Sequence, residues 1–390
     1  MKIERYIRTL LAILATVCLF PASHAAAETV RLANRYIAVD FDTVSGRYMV
    51  RTAAGDPDLL SDDNLNLTGD FFNSSVIIKL DNQYYRFGDM SGQVLRSSAK
   101  GDTAEFVWTL KGMEITQEIR LTNGSFSPVP SFAKVRYWFR NTDKTYHYAG
   151  LRVILDTMLG LNDDSAILSP PSGLVDRERE FSFDSVPDFW TAWDSIATPA
   201  GRILMGFADH GVVKPDYLTF ASRKRLSDTK WDFKADPAKD FRVSPVEPPD
   251  TAVSMKWESI PFRPGYENGV AFLYGVAKAA ASDRMPPLDL LALAPQRTGS
   301  GSFWVLGEAR NSDVSKSVKN LKLKLELPAG LSLAQGEAEI VFPELKPGEK
   351  RAVYWKVSVG QKGRYSLKAT AVGTAGSMVI NQVNFGIDCE

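Results

Sequence analysis

The sequence predicts an all-β protein built as two stacked sandwiches, and three observations carry that prediction. Nearly every readable segment alternates apolar and polar residues with period two. Gly, Asn and Asp punctuate the chain at short intervals, as turns between strands require. No window of the chain beyond residue 27 has convincing helical periodicity. Together these point to a large antiparallel two-sheet sandwich followed by a smaller immunoglobulin-like one.

The first 27 residues stand apart. Lys2, Arg5 and Arg8 precede an apolar run from Leu10 to Phe20, Pro21 breaks it, and small residues follow. That order is the pattern of a signal peptide, with cleavage expected after Ala25 or Ala27. The run is shorter than the roughly 20 residues that span a bilayer, and no later segment is apolar enough to do so. Val17 before Cys18 disfavours a lipoprotein signal, which takes a small residue there. The expected location is therefore the periplasm or the cell surface. Lys plus Arg equal Asp plus Glu at 46 each, so no basic excess points to nucleic acid. Beyond the signal the one thiol is Cys389, expected on a terminal tail, so the core must hold without an internal disulfide.

Residues 28–285 form the expected large domain. In "NRYIAVDFDTVSGRYMVRT", Ile37, Val39 and Phe41 share a face, and Asp42 to Gly46 turn the chain back. "SSVIIKLDNQYYRFG" repeats the pattern, with a turn at Asp81-Asn82. "MEITQEIRL" and "AKVRYWFRN" are two further alternating strands. Residues 286–300, with paired prolines and a Gly/Ser tract, are expected to be a linker. Residues 301–390 hold six strand-like runs. In "LKLKLELP", Leu321, Leu323, Leu325 and Leu327 should face inward and Lys322, Lys324 and Glu326 outward. The spacing suits a seven-stranded immunoglobulin-like sandwich.

That last segment, through "NLKLKLELPAGLSL" and "PELKPGEKRAVYWKVSV", resembles immunoglobulin-like modules of bacterial secreted proteins that act on glycans. The resemblance implies spacing, docking or packing rather than chemistry. In the large domain, "ITQEIRLTNG" and "AKVRYWFRNTDKTYHYAGLRVILDTMLGL" resemble the central strands of the galactose-mutarotase-like superfamily. The chain also resembles a group of secreted bacterial proteins that join "NRYI…GR" and "LDTMLG.ND" to such a tail, and it shares the layout of periplasmic glucan-biosynthesis proteins. The mutarotase resemblance places Asp156 where that family carries an acid histidine. An aspartate, with an ordinary pKa near ~3.9, is a poor acid at neutral pH, which disfavours mutarotation.

Three readings are open for the acidic stretch "LDTMLGLNDDS". Asp156, Asp163 and Asp164 can mark a strand exit, since Asp and Asn bond nearby amides. Asp163 and Asp164 can belong to a calcium loop, the one cofactor the sequence suggests, although the spacing is irregular. Asp156, with Asp163 or Glu258, can serve a glycan as acceptor or acid/base pair. "VPDFWTAWDS" offers Trp190 and Trp193 beside Asp188 and Asp194, rings and carboxylates of the kind sugars bind. Core packing beneath a loop is the plainer reading of the two indoles. In "AKVRYWFRN", Lys134, Arg136, Trp138 and Arg140 share a face that could stack a sugar and hold an acid, or simply pair with Glu114 and Glu118. No triad, P-loop or zinc spacing is present. The sequence thus favours an envelope protein that binds a glycan. A carboxylate-using hydrolase or lyase and an assembly protein without a small ligand are the alternatives.

Overall fold

The computed structural model describes residues 29–54, 66–71, 73–159, 166–193, 202–206, 212–241, 249–282, 287–299 and 301–390; for Ala166, Trp193 and 202–206 it describes the backbone alone. Two antiparallel sheets make the large domain. The six-stranded sheet runs Arg179–Ser182, Tyr217–Ser222, Thr251–Phe262, His147–Asp156, Ser75–Leu80, Gln83–Arg86 from edge to edge. The nine-stranded sheet runs Gly173–Val175, Ala166–Ser169, Phe189–Trp193, Arg202–Gly206, Glu267–Gly275, Phe132–Asn141, Met113–Thr122, Thr103–Leu110, Gln93–Lys100. A three-stranded sheet of Thr29–Ala33, Ile37–Asp42 and Tyr48–Thr52 adds to the same core.

Alternation decides which side chains enter that core. Along Phe132–Asn141, Val135, Tyr137 and Phe139 are buried, while Lys134, Arg136 and Trp138 are partly exposed and Arg140 is exposed. Ile37, Val39 and Phe41 are buried as a set, and Val76 packs at the margin of the core beside buried Ile78 and Leu80. The Asp81-Asn82 turn has positive φ at both residues, the conformation that short hairpins need.

The second domain is a sandwich of two five-stranded sheets. One holds Ala280–Ala281, Leu288–Leu293, Ser302–Asn311, Lys350–Val359 and Leu331–Gln335. The other holds Arg297–Thr298, Ser377–Cys389, Gly363–Ala375, Val318–Glu326 and Glu339–Leu345. All six expected runs are strands, and Leu321, Leu323 and Leu325 are buried between the sheets. Two expectations need correction. The segment 286–300 is not a free linker: "LDLLAL" is a strand whose Leu288, Leu290 and Ala292 enter the second core. Its alternation was there to read, but the flanking prolines and glycines masked it. Cys389 is not on a loose tail either, since it ends a 13-residue strand and is buried.

The two domains share an apolar seam. Phe126, Phe132, Phe189 and Leu273 of the large domain pack with Leu293, Trp304 and Leu306 of the second. Phe132 and Leu273 face each other's strands beside Lys134, so part of the nine-stranded sheet's outer face is covered by the second domain. Among the described residues no helix is long and apolar enough to cross a membrane.

Truncating Leu306 to Ala should empty part of this seam. Such a core deletion costs about 2–5 kcal/mol. Thermal melting should show a lower midpoint and the emergence of two transitions, one for each domain. A single unshifted transition would count against the seam as a coupling element.

Candidate functional site

The outer face of the six-stranded sheet is covered over only part of its width, and the cover depends on Arg152. This residue is fully buried on the central strand His147–Asp156. Its Nε donates to Ser254 Oγ at 2.9 Å, Nη1 to the Thr229 carbonyl at 2.5 Å, and Nη2 to the Leu226 carbonyl at 3.2 Å. Burial pushes its pKa down to about 10, with the charges of Asp232 and Glu180 opposing that fall. It stays cationic at neutral pH and fastens the helix Arg223–Ser227 and the segment after it to the sheet. Beneath the helix, Ile154, Ala221, Leu226 and Ala252 form a small apolar contact.

The fastened segment carries Trp231 onto the sheet over Gly150, where a Cβ would come within 2.9 Å of the indole. Only glycine at that central position lets the ring lie so close. The Tyr84 ring stacks on Trp231 at 6.1 Å and 28°, and Lys79 Nζ lies 5.3 Å from the indole centroid. Strand register explains the grouping, because Gly150 stands opposite Lys79 and Lys79 opposite Tyr84. Tyr148, two residues before Gly150 and on the same face, is 56% exposed; Tyr84 is 39% exposed.

On the other side of Trp231 lies Lys256. Its Nζ is 4.1 Å from the Tyr217 ring centroid and 5.8 Å from that of Trp231. It also pairs with Asp232 at 3.0 Å and Glu258 at 2.8 Å. Burial, the largest influence, lowers the Lys256 pKa, but its bonds and charge contacts with Glu258 and Asp232 outweigh it and the net shift is upward. Phe183 then meets Tyr217 edge-on at 5.2 Å, with a φ of 48° and its ring 58% exposed. A bulky residue held at positive φ with an exposed ring is costly, and such strain concentrates where a surface is used. The result is a line of rings, Phe183, Tyr217, Trp231 and Tyr84 with Tyr148 alongside, in which Trp231 is 3% exposed, set with two lysines and two carboxylates.

Most sequence candidates do not meet here. Glu258 does, but as a partner of Lys256 and of the Trp231 indole N–H, which donates to Glu258 Oε2 at 3.3 Å. The partners of its carboxylate are thus Lys256 and Trp231, not Asp156. Trp190 is 0% exposed and packs against Phe220 and Tyr274 in the core, so it offers no face to a sugar. The core-packing reading holds for it, because its strand turns that side inward. Asp156 is also fully buried at the end of its strand. Arg223 Nε approaches its Oδ2 to 3.9 Å while pairing with Asp250 at 2.8 Å, and the Gly69 amide donates to its carbonyl. Asp156 and Trp190 both lie near Tyr274, whose pKa burial raises and the Asp156 charge raises further. Both are buried, so neither side chain is open to a ligand.

Trp138 lies flat over Gly269, and Arg136 covers the indole at 4.1 Å. That guanidinium occupies the face a sugar would use. Glu118 stands opposite Arg136 and Glu114 opposite Arg140, so the neighbouring strand supplies the carboxylates expected of a wetted charged face. Asp163, Asp164 and Asp194 lie outside the described residues, as does the side chain of Trp193. The calcium reading therefore rests on sequence alone. Trp231, Tyr84, Tyr148 and Tyr217 were not singled out by sequence. The "DNQYYR" hairpin and the lone indole in "DTKWDF" were the available signals, and neither forms a motif by spacing.

His147 anchors one corner of this face. Its Nδ1 lies 2.6 Å from Asp81 Oδ2 and its Nε2 lies 3.3 Å from Asp143 Oδ2, while the Tyr148 amide donates to Asp81 Oδ1. Burial, the largest influence, lowers the His147 pKa, yet the two aspartates outweigh it and raise it overall. Burial likewise pushes the Asp81 pKa up, but His147 and the Tyr148 amide bring it below its usual value.

No protein-family model and no curated protein matches the chain. Solved structures do. A polysaccharide lyase is similar over 93% of this chain and 47% of its own, with 10% identity and a TM-score of 0.38, so the chain spans about half that protein. A galactose mutarotase-like protein from Lactobacillus casei is similar over 64% of this chain and 100% of its own, with 10% identity and a TM-score of 0.31. The GAE domain of GGA2p from Saccharomyces cerevisiae is similar over 29% of this chain and 99% of its own, with 13% identity and a TM-score of 0.22.

Two outcomes follow from this geometry. Arg152→Met should strip the Leu226 and Thr229 carbonyls of their donor and cost about 2–4 kcal/mol, as loss of a buried charged donor does. Limited proteolysis should then cut within 223–241; an intact segment would show the guanidinium to be dispensable. A histidine whose pKa is raised by folding stabilises fully below its unfolded pKa and loses that contribution as pH rises through the folded value. The depressed Asp81 acts oppositely, its contribution vanishing as pH falls through its folded pKa. Stability should therefore fall on going from pH 6 to pH 8, and His147→Gln should flatten that slope in thermal melts.

Proposed function

We propose that the protein is an exported envelope protein that binds a glycan chain along the outer face of the six-stranded sheet. The observation that carries this reading is the set of exposed rings Phe183, Tyr84 and Tyr148, held around the buried Trp231 and the part-buried Tyr217, with the Lys256–Asp232–Glu258 group among them. Flat apolar sugar faces stack on such rings, and hydroxyls need nearby acceptors. Asp232, with a side chain 84% exposed, has acceptor oxygens open to a ligand. Exposed rings spread along one face, rather than one deep pocket, suit an extended chain. The N-terminal segment with its basic start, apolar run and small residues supports delivery to the envelope.

Binding is favoured over hydrolysis by the state of the two candidate carboxylates among the described residues, Asp156 and Glu258. Asp156 is fully buried, and Glu258 is tied to a lysine and an indole. Neither stands as a free acid facing a free base across an open cleft, which glycoside cleavage requires.

Replacing Tyr84 and Tyr148 with Ala should weaken retention in affinity electrophoresis through glycan-containing gels by at least tenfold, about 1.4 kcal/mol. The melting temperature should hardly move, because both rings are exposed. Retention equal to that of the unaltered protein on every glycan that binds would remove this face as the binding surface.

A further inference from the structure

We propose that the cleft between the two domains is a second binding site, for an anionic saccharide. The cleft has a volume of about 600 Å³, inside the range of about 300–1,000 Å³ typical of small-ligand sites. Its walls come from both domains: Asn123, Gly124 and Lys278 from the large one, Arg297, Arg364 and Tyr365 among those from the second. It opens on the nine-stranded side of the large domain, whereas the row of rings described above lies on the outer face of the six-stranded sheet. The two sites are separate.

The walls are held in fixed relation. The Lys278 amide donates to the Phe126 carbonyl at 3.0 Å, the Gln296 amide donates to the Ser125 carbonyl, and the Asp388 amide donates to the Gln296 carbonyl at 2.8 Å. The Gln296–Ser125 bond crosses between the domains, and with the Trp304 and Leu306 seam it joins the two walls.

Charge decides the ligand class. Three cations, Lys278, Arg297 and Arg364, line the cleft against one carboxylate, Asp388. Asp388 is bonded to Arg364 at 3.0 Å and stands opposite Arg297 in the sheet register. Lys278 and Arg297 are both exposed and have no ion pair among the described residues. Cations left unneutralised around a concave wall concentrate anions there, and the guanidinium fork pairs with planar carboxylate or with phosphate. Between the charges the lining is small or aromatic: Ala280, Ala292, Tyr365 and Phe385. A sugar ring can lie on that floor while its acidic group meets the cations. A cavity of similar size beside Leu174 and Pro347 is also lined by three cations, Lys346, Lys350 and Arg351, but Lys350 there is paired with Glu308 and Arg351 with Glu349, which leaves only Lys346 without an ion pair among the described residues.

Isothermal titration of the full exported chain tests the proposal with three probes: tetragalacturonate, maltotetraose and inorganic phosphate. Tetragalacturonate should bind, with affinity that falls as salt rises. Maltotetraose should not compete for the cleft, and phosphate should bind at least tenfold more weakly than the sugar acid. The variant Lys278→Ala/Arg297→Ala should lose at least tenfold in tetragalacturonate affinity at an unchanged melting temperature, and Lys278→Arg/Arg297→Lys should keep most of it. Tyr84→Ala/Tyr148→Ala should leave it intact, which separates this site from the sheet face. Absence of tetragalacturonate binding, equal binding by the alanine variant, or phosphate binding as tight as the sugar acid would each overturn it.

Discussion

A buried guanidinium on the middle strand of a sheet is an expensive object, and here the arrangement of one whole face depends on it. Arg152 could not stay charged and enclosed without partners, and it finds them in a hydroxyl and in carbonyls at the end of a short helix. Those carbonyls lack intrahelical donors, as the last turn of any helix does. Each side therefore satisfies the other. The union draws residues 223–231 across the sheet and stops there, leaving the strands beyond Gly150 open to solvent. Helix length is five residues, too few to be stable alone, so its existence follows from docking.

The same logic of incomplete covering explains the other large sheet. Nine strands present more surface than six can bury, and the excess is divided by residue type along each strand. Phe132 and Leu273 sit under the second domain, while Arg136, Trp138 and Arg140, four to eight residues beyond Phe132 on its strand, stay at the surface. A boundary between apolar and charged residues within one strand thus becomes a boundary between an interface and a wetted wall. The second domain is a structural partner of the first, seated on apolar side chains that would otherwise face water.

Sequence reasoning reached the architecture because alternation is local. Val135, Tyr137 and Phe139 declare their face without any knowledge of neighbours, and so do Leu321, Leu323 and Leu325. It failed where a residue's fate depends on distant chain. For Trp190 the sequence left a sugar platform open beside core packing, and only its strand, which points it at Tyr274, 84 positions away, decides for the core. Trp231 looked unremarkable, yet Gly150 and Arg152 place it at the centre of an aromatic row. Asp156 was legible as a strand end and illegible as a buried one, because its burial comes from Gly69 and Arg223 on separate segments. The strand Leu288–Leu293 was hidden by its flanks: prolines and glycines describe the ends of an element and say little about its middle.

Cys389 closes its strand beside Gly363 on one side and Thr298 on the other, and burial, with the nearby Asp388 charge second, raises the pKa of its thiol. A shielded thiol held in its protonated form is a slow nucleophile. In a compartment that couples accessible sulfhydryls, two copies of this chain would stay unlinked for as long as the final strand remains zipped into its sheet. The sulfur is in effect a timer on that strand: the rate at which it becomes reactive measures how often the sheet lets go of it.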